Sequence, residues 1–243
     1  MKIRLDQLVV QQKLFPSREQ AQRAIMAGDV FVNEQLVDRP AKMVDCDARL
    51  EIKEKFPYVS RGALKLKAAV DYFKIDFSGK IIADIGASTG GFTDLVLSLG
   101  AQKVYALDVG HGQLAEKLRQ DPRVVVMEKT NIRYVKSLPE PIDIFTIDVS
   151  FISLKLVLPV IKEIAGRDGI STKVIALIKP QFEATRAEVS QGKGVIRDPK
   201  IHERIVKDIE EFAKKLGFKI LGTLPSPILG PKGNKEFLIY LSN

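Results

Sequence analysis

Two charged residues at the ends of apolar runs are the first sign of chemistry. Asp148 closes the run Ile142 to Asp148 within IDVSFISL, and Lys179 closes Val174 to Lys179 within LIKPQFE. If both runs are strands, opposite charges meet near one edge of a sheet. A surface ion pair is the plain alternative, but charged groups bordering a crevice belong to functional sites more often. A lysine so placed activates a hydroxyl either by losing its proton and acting as a base or by holding a developing oxyanion. A neighbouring carboxylate orients the ammonium while favouring its charged form, so both roles stay open.

A second group lies upstream, in IIADIGASTGGFTD. The apolar run Ile81 to Ile85 contains Asp84, and Gly86, Ala87, Ser88, Gly90 and Gly91 follow as a turn of small residues before Phe92 begins a helical pattern. Small residues let a backbone turn tightly after a strand and approach a ligand, and the helix start beyond offers free N–H groups. This is the outline of a nucleotide-type cofactor site. The spacing is not GxGxxG, because Ser88 stands two positions after Gly86, which weakens a dinucleotide dehydrogenase. Asp108 comes about 20 residues after the turn, where an acidic side chain takes ribose hydroxyls; its alternative is a cap on a helix at Val109 to Gly112. Asn131, after the next apolar run, either reads an adenine edge or serves a turn.

Positioning these residues requires an alternating architecture. Apolar runs recur at Ile81 to Ile85, Val104 to Asp108, Val124 to Met127, Ile142 to Asp148, Val174 to Lys179, Lys219 to Leu224 and Phe237 to Leu241. Helical patterns at Phe92 to Ser98, Ile152 to Ala165 and Pro199 to Leu216 lie between them. Continuously apolar strands alternating with helices predict an α/β fold with a mainly parallel sheet covered on both faces, and ligands beyond the carboxyl ends of its strands. Only Pro225 to Lys235 separates the last two runs, so an antiparallel hairpin is expected there.

The first 60 residues differ, reading as a small α+β module. A helical pattern begins at Leu5, Leu8, Val9 and Leu14, and Ser17 with Gln20 fits a capping box ahead of Ala21, Ala24 and Ile25. Gly28 stops that helix, and short strands are expected at Val30 to Val32 and Arg49 to Ile52, with Asn33 and Glu34 as a turn before Leu36 and Val37. The charged, proline-bearing stretch Lys53 to Val59 reads as a linker, giving domains at 1–59 and 60–243.

The chain of 243 residues is 45% hydrophobic and 28% charged, a globular composition with room for one large domain and a small one. A net charge of +8 favours an anionic partner, nucleic acid above all. The first 60 residues hold ten Lys and Arg against nine Asp and Glu, so the excess falls later and RNA binding by the small module needs a local patch. Cys46 is the sole cysteine, which excludes an intramolecular disulfide and a cysteine-rich zinc site. No metal cluster is expected. MKIRLDQLVV lacks a signal-peptide core, and the apolar stretch Ile152 to Ala165 is short and broken by Lys155, Pro159 and Lys162, so a cytoplasmic location without membrane association is expected.

The motifs SRGALKL at Ser60 to Leu66, DIGASTGGFTD, DVGHGQL at Asp108 to Leu114, DVSFISL, KPQFE and GNKEFL at Gly233 to Leu238 together resemble the TlyA (haemolysin A-like) family. The likeness covers essentially the whole chain. It implies an S4 RNA-binding domain followed by an FtsJ-like Rossmann methyltransferase: a mostly parallel seven-stranded sheet with an antiparallel last strand. It further implies 2′-O-methylation of ribosomal RNA, usually at cytidine, with S-adenosylmethionine as cofactor. The family's Lys-Asp-Lys-Glu tetrad maps onto Lys65, Asp148, Lys179 and Glu236. Lys179 would activate the hydroxyl, Asp148 and Glu236 would position it, and Lys65 would assist with substrate and charge. Without the family neither Lys65 nor Glu236 stands out.

The same likeness turns Arg4, Lys13, Arg18 and Arg23, otherwise an ordinary solvated face, into RNA-binding candidates, with Arg61 beside them. The cofactor set becomes Asp84, Gly86, Ala87, Ser88, Gly90, Gly91, Phe92, Asp108, Asn131 and Asp148. The short termini resemble the forms expected to act on large-subunit RNA alone. A ribosome-assembly factor that binds RNA without catalysis, and a membrane-lytic protein, are the competing functions. The second lacks a strongly amphipathic basic helix.

Overall fold

Residue alternation along the central strands decides where the two cores lie. The computed structural model describes residues 2–53, 56–167, 169, 171–230 and 232–243, and the chain forms two compact units, Met1–Pro57 and Tyr58–Asn243. Glu54 and Lys55, in the expected linker, lie outside the described residues.

The first unit contains β1 (Lys2–Arg4), α1 (Leu5–Gln11), α2 (Arg18–Met26), β2 (Val30–Val32), β3 (Gln35–Leu36), β4 (Met43–Asp45) and β5 (Leu50–Ile52). Strand β1 pairs with β4, and β2 lies between β3 and β5, all antiparallel. Asn33 and Glu34 both take left-handed φ values, 48° and 66°, which is the two-residue turn that joins tightly paired strands. Ser17 caps α2 by accepting the Gln20 N–H at 3.3 Å. Leu5, Leu8, Val9, Ala21, Ala24 and Ile25 form the core between the helices. The expected reach of the first helix to Leu14 is corrected: α1 stops at Gln11, because Lys13 turns the chain at φ 58° and leaves Leu14 exposed. Strands β1 and β4, three residues each, carry no periodic signal of their own.

The second unit contains α3 (Ala63–Phe73), β6 (Ile81–Ile85), α4 (Gly91–Ser98), β7 (Lys103–Leu107), α5 (Glu116–Arg119), β8 (Val124–Met127), β9 (Ile144–Ile147), α6 (Leu154–Arg167), β10 (Lys173–Ile178), α7 (Pro180–Glu183), α8 (Arg186–Gln191), α9 (Pro199–Lys215), β11 (Lys219–Pro225) and β12 (Phe237–Ser242). A 3-10 turn at Ile132–Tyr134 follows β8. The seven strands are ordered β11-β12-β10-β9-β6-β7-β8. Those from β10 to β8 pair in parallel, while β12 runs antiparallel to both β10 and β11. The architecture is the expected seven-stranded α/β sheet with a reversed final strand.

Successive strand residues point to opposite faces. Ala83, Ile85, Phe145, Ile147, Ala176, Ile178, Ile239 and Leu241 join α6 and α9 in one core. Ile82, Val104, Ala106, Ile144, Ile175, Leu177 and Leu238 join α3 and α4 in the other. Each buried Leu, Ile or Val contributes about 2 kcal/mol by leaving water, so a sheet covered on both faces fixes its strand ends firmly. No helix among the described residues is long and apolar enough to cross a membrane.

Candidate active site

Strand direction brings the charged residues together. Asp148 directly follows β9 and Lys179 directly follows β10, parallel neighbours, so both emerge at the same sheet edge. Phe237 opens β12 opposite Ile178 in the antiparallel register, which sets Glu236 beside Lys179 at that edge. Lys65 arrives from the first turn of α3, whose Ala63, Leu66 and Ala69 are buried against the sheet.

The four side chains form a neutral chain of alternating charge. Glu236 Oε2 accepts a hydrogen bond from Lys65 Nζ at 2.7 Å, Lys65 Nζ stands 3.9 Å from Asp148 Oδ2, and Asp148 Oδ1 stands 2.6 Å from Lys179 Nζ. Lys65, Lys179 and Glu236 are buried, while Asp148 is partly open. Buried charges persist only when paired, because each unpaired ion loses its hydration without return. The Asp148–Lys179 contact is close but oblique: Asp148 Oδ1 has no aligned hydrogen bond, and Glu236 Oε1 is likewise a buried oxygen without a partner. The aligned acceptor of Lys179 Nζ is Ser150 Oγ, at 2.8 Å.

Two cavities flank this chain. The larger, about 730 Å³, is bordered by Gly86, Asp108, Asn131, Asp148, Ser150 and Phe151. The smaller, about 200 Å³, is bordered by Lys65, Asp84, Ala87, Gly91, Phe92 and Lys179. Gly86, Ser88, Asp148 and Ser150 border both.

The turn after β6 is built for close approach. Gly86 has φ 84°, and a Cβ there would lie 2.7 Å from the Asp148 carbonyl oxygen, so only glycine lets the two strand ends meet. Gly90 borders neither cavity; at φ 94° it starts α4, against Leu114 and Leu118. Asp84 is turned inward. Its Oδ2 accepts the Thr93 N–H and Oγ–H at 3.1 and 2.7 Å, and its Oδ1 accepts the Thr146 hydroxyl at 2.9 Å. Burial pushes its carboxyl up to about 6 despite these donors. Its role in the geometry is to pin the start of α4 to β9.

Asp108 stands at the cavity edge, its carboxylate accepting the N–H groups of Ser88 and Gly110 at 2.8 and 2.7 Å. The alternative of a helix cap is corrected: 109–112 forms bends, with no helix, and the carboxylate serves the turn. Asn131 borders the larger cavity while its Oδ1 accepts the Arg133 N–H at 3.1 Å, so turn chemistry is certainly present. Glu183 laces the two strand-end segments together, accepting from Ser153 Oγ at 2.5 Å and the Leu154 N–H at 2.7 Å; burial pushes its carboxyl up.

Ser150, Phe151 and Phe182 are the neighbours that sequence reasoning missed. Phe151 is 89% exposed at φ 63°, with its ring 5.2 Å from that of Phe182. Both phenylalanines lay inside quoted motifs, but nothing in those letters marks a ring left in solvent.

The basic candidates of the first unit are partly spoken for. Asp6, fully buried, accepts from Arg4 at 3.1 and 2.9 Å, from Arg18 at 2.9 Å and from Gln22 at 2.7 Å. The Arg4 hydrogen bond above all holds its carboxyl well below the usual range. Arg23 pairs with Glu19 on an exposed helix face, whereas Lys13 and Arg61 are exposed. No group of residues able to hold a metal ion occurs among the described residues.

Comparison with known proteins identifies the family of both units. Residues 58–243 match the FtsJ-like methyltransferase family and residues 3–49 the S4 domain. The chain is 49% identical to "Putative rRNA methyltransferase YqxC" of Bacillus subtilis, over 99% of this chain and 85% of that one. It is 41% identical to "16S/23S rRNA (cytidine-2'-O)-methyltransferase TlyA" of Mycobacterium tuberculosis, over 98% of this chain and 89% of that one. A solved structure described as "Putative hemolysin from Streptococcus thermophilus" shares 45% identity and a TM-score of 0.74, covering 100% of this chain and 88% of that one. With both domains matched and this identity extending along nearly its entire length, the chain belongs to the TlyA family of FtsJ-like methyltransferases carrying an S4 domain.

Proposed function

We propose that this protein transfers a methyl group from S-adenosylmethionine to the 2′-hydroxyl of a cytidine in ribosomal RNA. The observation that carries the reading is the charge chain Glu236–Lys65–Asp148–Lys179 standing between two cavities at one sheet edge. The relatives named for rRNA methylation supply the substrate class.

The residues fit the cofactor. Gly86 keeps the turn open for close approach, and the partly exposed Asp148 carboxylate, which lines both cavities, suits a cationic sulfonium. Asp108 and Asn131 would hold the adenosine side in the larger cavity, with Gly86 and Ser88. Ala87, Gly91 and Phe92 would face the amino-acid side in the smaller one, with Asp84 and Gly90 shaping the turn. When bound, S-adenosylmethionine supplies a methyl group on positively charged sulfur.

Lys179 then meets the ribose hydroxyl and either takes its proton or donates an N–H to the developing oxyanion while the proton leaves to solvent, Asp148 and Glu236 fix the lysines, and Lys65 keeps the two carboxylates from repelling. Holding the reactants in line accounts for much of the acceleration in such transfers. Phe151, an exposed ring packed on Phe182 at the larger cavity, is a platform for a base turned out of its stack. Arg4, Lys13, Arg18, Arg23 and Arg61 contribute phosphate contacts.

Lys179→Ala tests the reading directly. Calorimetry should find S-adenosylmethionine binding retained, while transfer of labelled methyl to ribosomal subunits lacking the modification falls at least 100-fold. Unchanged transfer would sink the assignment. Separate small and large subunits in the same assay identify which RNA is modified.

A further inference from the structure

We propose that Ser150 is a positioning residue that sets the direction in which Lys179 presents its Nζ to the substrate hydroxyl. The inference rests on the reading of Lys179 given above and goes beyond the four charged residues.

An amine or ammonium at the end of a lysine is a rotor with three equivalent positions around the Cε–Nζ bond. Whether Lys179 removes a proton or holds an oxyanion, one particular position must face the ribose oxygen: a lone pair in the first case, an N–H in the second. A carboxylate that attracts the nitrogen without alignment supplies charge but leaves that rotation free. This is the state of Asp148, whose Oδ1 lies 2.6 Å from Nζ yet makes no aligned hydrogen bond. Ser150 Oγ, at 2.8 Å, is the aligned partner of Nζ among the described residues.

The backbone explains how a serine reaches this place. Asp148 leaves β9, and three residues later Phe151 takes a left-handed φ of 63°, unusual for a side chain that size. Because β9 and β10 are parallel neighbours, the segment after Asp148 runs beside Lys179, and the exposed Ser150 there borders both cavities. A hydroxyl suits the task better than a second carboxylate. It accepts from an ammonium and donates to a neutral amine, so it keeps Nζ oriented in either protonation state and adds no charge to a neutral set of four.

Ser150→Ala, Ser150→Thr and Lys179→Ala are compared in the methyl-transfer assay, with S-adenosylmethionine affinity measured by calorimetry. Ser150→Ala is expected to lower kcat at least tenfold, with cofactor affinity and RNA KM changed less than twofold. Ser150→Thr, which keeps the hydroxyl, should recover to within threefold of the wild type. Adding Ser150→Ala to Lys179→Ala should cost nothing more, because the hydroxyl then has no amine to orient. A kcat for Ser150→Ala within threefold of wild type overturns the proposal. So does a Ser150→Thr as impaired as Ser150→Ala, or a further tenfold loss in the double variant, since both place Ser150's importance in the turn. Active Lys179→Ala would instead overturn the reading of the site, a result distinguishable from failure of the Ser150 proposal alone.

Discussion

Lys65 Nζ and Glu236 Oε2 meet at 2.7 Å although 171 positions of chain separate them, and both side chains are almost fully removed from solvent. This pair closes the charge chain at its deepest end, and its two members depend on each other. Glu236→Ala should destabilise the protein by about 3 kcal/mol, the scale for stranding one partner of a buried ion pair. The double substitution Lys65→Met with Glu236→Leu should restore most of that loss in urea unfolding while methyl transfer stays at least 100-fold down. Recovery of activity together with stability would show the pair to be scaffolding alone.

Gly86 offers a test of the turn. A methyl group there meets the Asp148 carbonyl oxygen at 2.7 Å, and φ 84° disfavours any L side chain. Gly86→Ala should therefore weaken S-adenosylmethionine binding at least tenfold by calorimetry and lower thermal stability. Gly79, also at positive φ (67°) but with open space around it, should lose stability through Gly79→Ala and leave cofactor affinity as it was.

Asp84 predicts an unusual pH dependence. Its carboxyl, pushed up to about 6 by burial, keeps its proton in the folded protein at pH values where the unfolded chain has released it. Below about pH 4 both states are protonated. As pH rises from there through 6 the unfolded state is increasingly favoured. Relative to Asp84→Asn, the wild type should lose at most about 3 kcal/mol over this interval, measured by urea unfolding at pH 4.5 and 7.5. Parallel curves for the two proteins would refute it.

The arginines of the first unit should not contribute equally to RNA affinity. Asp6 holds Arg4 and Arg18 in fixed orientation with other guanidinium N–H groups left over, whereas Arg23 is engaged by an exposed Glu19. Arg4→Ala and Arg18→Ala should each weaken binding to ribosomal RNA and reduce the salt slope of log K by about 1. Arg23→Ala should change it by less than half as much. Asp6→Ala should lower affinity like the arginine variants although it removes a negative charge. Because Asp6 ionises well below the usual range, its contribution to stability is present above that range and is lost as pH falls through its folded value.

Why some of this could be read from the sequence and some could not has physical causes. The strands β6, β7, β9 and β10 announce themselves because both faces are buried, leaving nearly unbroken apolar runs that end at Asp148 and Lys179. Glu236 carries no such mark. It sits after a proline-rich connection, and only the antiparallel register of Phe237 with Ile178 brings it to Lys179. The short helices α5, α7 and α8 span too few residues for a 3.6-residue period to repeat. Ser150 escaped notice because its contact with Lys179 comes from an irregular segment after β9, and no letter pattern encodes that. For Lys65 and Glu236 the family's motifs supplied what periodicity lacked.

Strand β12 follows β10 and β11 in the chain yet lies between them in the sheet. A slot flanked by earlier strands must therefore be filled by a later one, and its filling delivers Glu236. During synthesis the growing chain passes through a long interval in which the glycine turn, Asp148 and Lys179 already exist but the site is unfinished. On the proposed reading of Glu236, reactivity is thus tied to the docking of β12 between β10 and β11.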